Sequence, residues 1–413
     1  MRRSARIQRI SSRLLLGLAT AAVMAVSARA EVKIGVVGPL SGPQANSGIA
    51  MRKGFELAAE EVNGKGGLTI GGKQQPVTLL FEDSASRPEM GISAAQKLLT
   101  RDNVDILIAD SMASSVTLAT MELAPSFAKF MASGQPVSIA IAQKIKAQPE
   151  RYANFWKMSF NSDAYAAAIH DAVKDLVASG KVNAAKKSIA FVVEDTDYGK
   201  SNVEFTAPLF EADGWKVVSN DAVPNGTADF YPQLSKLRAN EPDVLVSIFT
   251  SPNSGAALVK QLKEQGIGSL HLAVYYPIRP EFLQAAAASA NGLLWTPLIF
   301  DPDHNASHKA FAEKVKAKTG TMGTGDHALG YCQMAMLLDN VAKAGSVEAA
   351  KISAAFAATD YKCIYGRWVY DTAIHTPKIG ADYLPVPFAQ IIKGESQVVW
   401  PKSAATTEFQ AKP

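Results

Sequence analysis

Cysteine is almost absent. Cys332 and Cys363 are the only two in 413 residues, too few for a small disulfide scaffold. Histidine is also scarce, with six in all, and His170, His271, His327 and His375 are scattered along the chain. There is no G-x-S-x-G elbow, no H-E-x-x-H pair and no P-loop, so the common signatures of hydrolytic, metallopeptidase and nucleotide chemistry are missing. Beyond residue 30 no apolar run is long enough to cross a bilayer. No low-complexity tract and no tandem repeat at a solenoid period interrupts the chain.

Residues 1–30 carry what the rest lacks. Arg2, Arg3, Arg6, Arg9 and Arg13 precede an apolar run from Leu14 to Val26, and Ala28-Arg29-Ala30 follows as a cleavage signal. The expectation is a signal peptide over 1–30, removed on export. The formal charge of the whole chain is +4, but the leader holds six arginines and no acid, so the mature charge is −2. The basic character therefore belongs to the leader, and nucleic acid is not an expected partner. In an oxidising compartment Cys332 and Cys363 suit one disulfide; two separate buried thiols are the alternative, and both stay open.

What is present is a large apolar inventory, 47% of residues, arranged in a regular alternation. Strand-like runs fall at 32–37, 77–81, 104–109, 137–142, 188–193, 217–223, 243–250, 270–275 and 293–299. Most are continuous apolar runs, the pattern of parallel strands covered on both faces. Amphipathic stretches at 45–62, 90–99, 164–177, 201–212, 254–265 and 305–318 separate them. This is an α/β pattern, and its length suggests two domains. Residues 154–161 interrupt the rhythm as a crossing strand, Asp301-Pro302-Asp303 marks a second crossing, and 362–400 returns to short β-like pieces.

The first turn, Gly35-Val36-Val37-Gly38-Pro39-Leu40, tests a nucleotide reading and fails it. A dinucleotide site needs G-x-G-x-x-G here, and Pro39 removes a backbone donor that a phosphate would use.

Five segments occur in an order that resembles one family. They are KIGVVGPLSGPQANSG (33–48), FVVEDTDYGKS (191–201), DFYPQLSKLRANEPDVL (229–245), ALGYCQMAMLLDNVAKAG (328–345) and YGRWVYD (365–371). They resemble the periplasmic leucine/isoleucine/valine-binding family, the type I solute-binding proteins of ATP-driven (ABC) importers. The resemblance implies two doubly wound lobes, three crossovers and a ligand cleft closed by a hinge. The lobes expected are 31–158 with 298–365, and 159–297 with 366–413. It further implies a small-molecule ligand, an inner-membrane ABC permease as partner and a monomer without cofactor. A sensor of the same fold and a secreted α/β enzyme are the alternatives.

Open α/β sheets bind ligands beyond the carboxyl ends of their strands, which places Ser41 and Gln44 at the cleft lip. Ser114 and Ser115 follow an apolar strand and open a helix, where hydroxyls and free amides suit a carboxylate. The family places a serine contact there, with a further contact at the position matching Ala140 and Ala142, and Tyr198 matches a cleft tyrosine. Thr250 and Ser251 end another strand, and Trp156 precedes the first crossing. Tyr275, Tyr276 and Arg279 stand where amino-acid binders of the family carry an acid for the ligand's ammonium. That departure tilts the expected ligand toward organic or aromatic acids, but Glu194, Asp195 or Asp110 could still reach an amine, so branched-chain or related amino acids, the family's default, stay nearly level with them. Asp301, Asp303, His304 and His308 have a metal-like look but read as a solvated helix start, and no metal is expected.

Overall fold

The computed structural model describes residues 31–411, and the signal peptide expected over 1–30 lies outside them. Along the chain the first strands are β1 (Val32–Gly38), the short hairpin β2 (Leu68–Ile70) and β3 (Lys73–Gln75), β4 (Val77–Asp83), β5 (Ile106–Ile108), β6 (Phe130–Ser133) and β7 (Phe155–Lys157). Then come β8 (Ser188–Glu194), β9 (Lys216–Val223), β10 (Val244–Phe249), β11 (Leu270–Tyr275) and β12 (Leu294–Thr296). The last are β13 (Asp360–Cys363), β14 (Gly366–Asp371), β15 (Thr376–Pro377), β16 (Phe388–Ile392) and β17 (Glu395–Trp400).

Two sheets carry the fold. The first is parallel throughout, in the order β4-β1-β5-β6-β7. The second runs β17-β16-β12-β11-β10-β8-β9, parallel except where β16 meets β12 and β17. Strands β5, β6 and β10 are buried along their whole length, as continuous apolar runs in doubly covered sheets should be. This is the expected α/β class. In the first sheet the winding reverses between β1 and β5, and in the second between β8 and β10. Loops leaving the carboxyl ends of those four strands are therefore the places where a ligand site belongs.

Local readings differ from the sequence expectation in two places. The run 137–142 is not a strand; the fourth strand of the first sheet in chain order is β6, and a helix Ile139–Ala147 starts inside the predicted run. Ile141 and Ala142 are buried because that helix packs inward, and Val137 is buried just before it, so apolarity alone placed the strand at 137–142 instead of 130–133. Residues from 366 onward do not enter the second sheet at once. Instead β14 pairs with β13 and β15, the Trp368 indole donates to the Met158 carbonyl at 3.2 Å, and the Lys157 amide donates to the His375 carbonyl at 3.0 Å. Burial of Trp368, and of Tyr370 against Phe356 and Trp156, holds this hairpin beside β7, and the chain reaches the second sheet only with β16.

Cys332 and Cys363 form a disulfide, with 5.8 Å between their Cα atoms. It joins the long helix Gly325–Ala344 to β13.

Candidate functional site

The loops at the two reversal points face one another. Gln44, Ser86, Met112, Ala113, Ser114, Ser115, Gln135 and Val137 line a cavity from the first sheet's side. Tyr165, Glu194, Thr196, Tyr198, Asn225, Thr250 and Tyr275 line it from the second. The two walls touch: the Gln44 side-chain amide donates to the Thr250 hydroxyl at 2.9 Å, and Asn46 donates to Glu281 at 3.2 Å nearby. The space left is about 40 Å³, far below the roughly 300–1,000 Å³ of pockets that hold organic ligands. Admitting a solute therefore requires the walls to part, and the Gln44–Thr250 bond is the first contact in the way.

On the first wall, Asp110 shapes the loop after β5. Its carboxylate accepts from the amides of Met112 and Ala113 at 2.7 and 2.5 Å, and burial pushes its pKa up to about 7. Its Oδ1 is thus spent on the loop, and the residue does not line the cavity. Ser114 begins the helix Ser114–Thr120, and its hydroxyl oxygen accepts from the Ser138 amide at 3.1 Å. With its oxygen so engaged, the Ser114 hydroxyl proton is left to donate.

On the second wall, Glu194 closes β8 and is 1% exposed. It accepts from the Thr250 amide at 2.7 Å, the Thr250 hydroxyl at 2.6 Å and the Thr196 hydroxyl at 2.9 Å. Burial raises its pKa, and the Thr250 hydrogen bonds partly offset that. Tyr198 sits in the first turn of the helix Asp197–Ala212, and its buried hydroxyl has no partner in the protein. Burial drives its pKa well above the usual phenol range, so it stays a neutral donor. Tyr275 ends β11 with φ +73°, a left-handed conformation rare outside glycine and one that recurs at functional sites. Its hydroxyl donates to Asp326 at 2.8 Å.

Of the residues expected at the site, Gln44, Ser114, Ser115, Tyr198, Thr250 and Tyr275 meet in this cavity. The others do not. Ser41 is exposed and donates to Asp83 at 2.6 Å, so it fixes its own turn. Ala140 and Ala142 lie in the helix Ile139–Ala147, displaced by the misplaced strand; Gln135 and Val137 line the cavity instead. Tyr276 is buried in the second sheet's packing, where its ring abuts Phe249 and Phe282 and its hydroxyl pairs with Ser247 at 2.8 Å. Ser251 caps the helix Pro252–Glu264. Trp156 stacks on His375 at 4.0 Å between ring centroids, a packing role. Asp195 pairs with Lys200 at 2.6 Å on the surface. His308 accepts from the Asp301 amide at 2.9 Å and His304 keeps to Asp301 at 3.0 Å, so Asp301, His304 and His308 shape a helix start, with Asp303 beside them.

Arg279 corrects the sequence reading most. It is 3% exposed, lies over the Tyr275 ring at 4.6 Å, donates to Asp326 at 3.3 Å and to the Thr250 carbonyl, and does not line the cavity. It is paired with Asp326 through Nε, its buried Nη2 has no protein partner, and its charge still reaches Glu194, so it acts from behind the cavity wall. Tyr165, Gln135, Asn225 and Ser86 were not singled out from the sequence. Tyr165 looked like one apolar position on a helix face, and Asn225 and Ser86 carry no pattern at all.

A family model described as periplasmic binding protein matches residues 31–394. The chain belongs to that family. Among curated relatives, the Leu/Ile/Val-binding protein homolog 3 of Brucella melitensis is 26% identical over 308 residues, covering 74% of this chain and 78% of the relative. Among solved structures, an ABC transporter solute binding protein from R. palustris, in complex with benzoate, superposes with TM-score 0.76 at 19% identity. That match covers 93% of this chain and 99% of the other. The branched-chain amino acid transporter substrate binding protein LivJ of Streptococcus pneumoniae, in complex with isoleucine, gives TM-score 0.74 at 21% identity, covering 90% and 100%. These likenesses establish the type I periplasmic binding protein fold.

Proposed function

We propose that this chain is the periplasmic solute-binding component of an ATP-driven importer, which captures a small carboxylate-bearing organic molecule between its two sheets and presents the closed form to an inner-membrane permease. Two lobes, 31–158 with 298–377 and 159–297 with 388–400, would part and close about the crossing segments. The observation that carries the reading is the cavity at both winding reversals, where buried polar atoms from each wall have no protein partner. Buried polar groups are nearly always hydrogen-bonded, so unpartnered ones facing a cleft suit a polar ligand.

Ser114 and Tyr198 supply hydroxyl donors for a carboxylate, and Ser115 stands beside them. Tyr165, Tyr198, Tyr275, Met112 and Val137 supply flat and apolar surface for the ligand's body. Branched-chain amino acids and aromatic acids both satisfy that description, and the family neighbours include binders of each kind.

A thermal-unfolding screen of the mature chain against amino acids and organic acids tests the reading. A ligand bound only by the folded state adds about 2.7 kcal/mol of stability at 100 times its Kd. Ser114→Ala should weaken a carboxylate ligand by roughly 1.5–3 kcal/mol, the range for hydrogen bonds to charged groups. Calorimetric titration of the variant checks this, and an unchanged affinity would remove Ser114 from the site.

A further inference from the structure

We propose that Glu194, with the side-chain amide oxygens of Gln44 and Asn225, receives a positively charged nitrogen on the ligand, and that this cradle sets the preference between amino acids and plain carboxylic acids. The inference rests on the ligand-cleft reading above and adds the residue that reads the nitrogen.

The argument starts at Thr250. Its hydroxyl donates to Glu194 at 2.6 Å, and an ionised carboxylate can only accept, so the Thr250 oxygen has lone pairs left for donors alone. Gln44 and Asn225 fill them, their side-chain NH2 groups donating to the Thr250 oxygen at 2.9 and 3.2 Å. Those bonds fix how both amides are turned. The oxygens Gln44 Oε1 and Asn225 Oδ1 are left over, buried and without a partner, on residues that line the cavity. A third buried amide oxygen, Gln135 Oε1, is unpartnered on the facing wall.

The unmet demand of the amide groups that line the cavity beside Glu194 is thus for donors; the unpartnered Arg279 Nη2 belongs to a residue outside the lining. An ammonium offers three donors and no acceptor, whereas a carboxylate there would meet only acceptors. Charge agrees with geometry. Arg279 is paired with Asp326 and does not line the cavity; its charge still reaches Glu194 and opposes the rise that burial gives that carboxyl's pKa, and among the described residues Glu194 is the one acid on the cavity wall. A buried carboxylate gains most from a cation brought to it in a desolvated site. The donors for a carboxylate, Ser114 and Tyr198, are separate groups, so one ligand can engage both ends.

Calorimetric titration with matched pairs tests this: L-leucine against 4-methylpentanoate, and L-phenylalanine against 3-phenylpropanoate. In the wild-type protein the amino acid of at least one pair should bind roughly ten- to a hundredfold more tightly than its des-amino partner. Glu194→Gln should shrink that ratio by a similar factor, and Asn225→Ala, at a half-buried position, should shrink it by less. Equal or tighter binding of the des-amino acids by the wild-type protein would overturn the cradle while leaving the carboxylate reading intact. Binding of no member of either pair, nor of benzoate, would overturn the carboxylate reading and the cradle with it.

Discussion

Gly330→Val should cost the folded protein about 3 kcal/mol or more, the upper part of the range for overpacking a close contact. The helices Ala45–Gly64 and Gly325–Ala344 cross where Gly54 and Gly330 let their backbones meet. A Cβ on Gly330 would stand 2.9 Å from the Met51 Cα and closer still to the Met51 carbonyl. A Cβ on Gly54 would stand 2.7 Å from the Tyr331 amide nitrogen and collide with the His327 carbonyl. Backbone atoms in a packed helix pair cannot rotate away as side chains can, so the helices must separate. Gln44 immediately precedes one of these helices and Asp326 lies in the first turn of the other, so separation also disturbs the cleft. Urea unfolding of Gly330→Val reads the effect directly. A loss below about 1 kcal/mol would mean that the crossing relaxes more easily than close packing allows.

Reduction of Cys332–Cys363 should lower stability by about 3–4 kcal/mol in the chain-entropy model for a loop of this length. The two cysteines are 31 residues apart, and the bridge ties the helix Gly325–Ala344 to the hairpin that carries Trp368 and Tyr370. In the unfolded chain the same bond would restrain the whole 332–363 segment, which is where the model places the stabilisation. Unfolding midpoints with and without reductant, and of the Cys332→Ser/Cys363→Ser double variant, check this. Coincident midpoints, or alkylation of both thiols in unreduced denatured protein, would contradict it.

The parallel-sheet architecture was legible because buried strands announce themselves as uninterrupted apolar runs. The same signal misled at 137–142, where a helix buried its first turn and Phe130–Ser133, only four residues long, was the strand. That displacement carried Ala140 and Ala142 out of the site and hid Gln135. Tyr275 and Tyr276 show a second limit. Two adjacent side chains cannot both face the cleft from an extended strand, and the left-handed turn at Tyr275 that decides between them has no mark in the residue types. Arg279 shows a third: its charge was visible, but its partner Asp326 is 47 residues away, and only the fold brings them together. Glu194 was visible as an acid near the cleft, but its network with Thr250, Gln44 and Asn225 joins four separate segments.

Calorimetric titration of the wild-type and Ala113→Trp proteins with a panel of L-amino acids and aliphatic and aromatic carboxylic acids tests the central claim most directly. Ala113 is buried and lines the cavity, so an indole there competes with a ligand for that space. The account predicts one-to-one binding of at least one panel member by the wild-type protein and its loss in Ala113→Trp. Equal binding by the two proteins, or binding of no panel member by either, would contradict it.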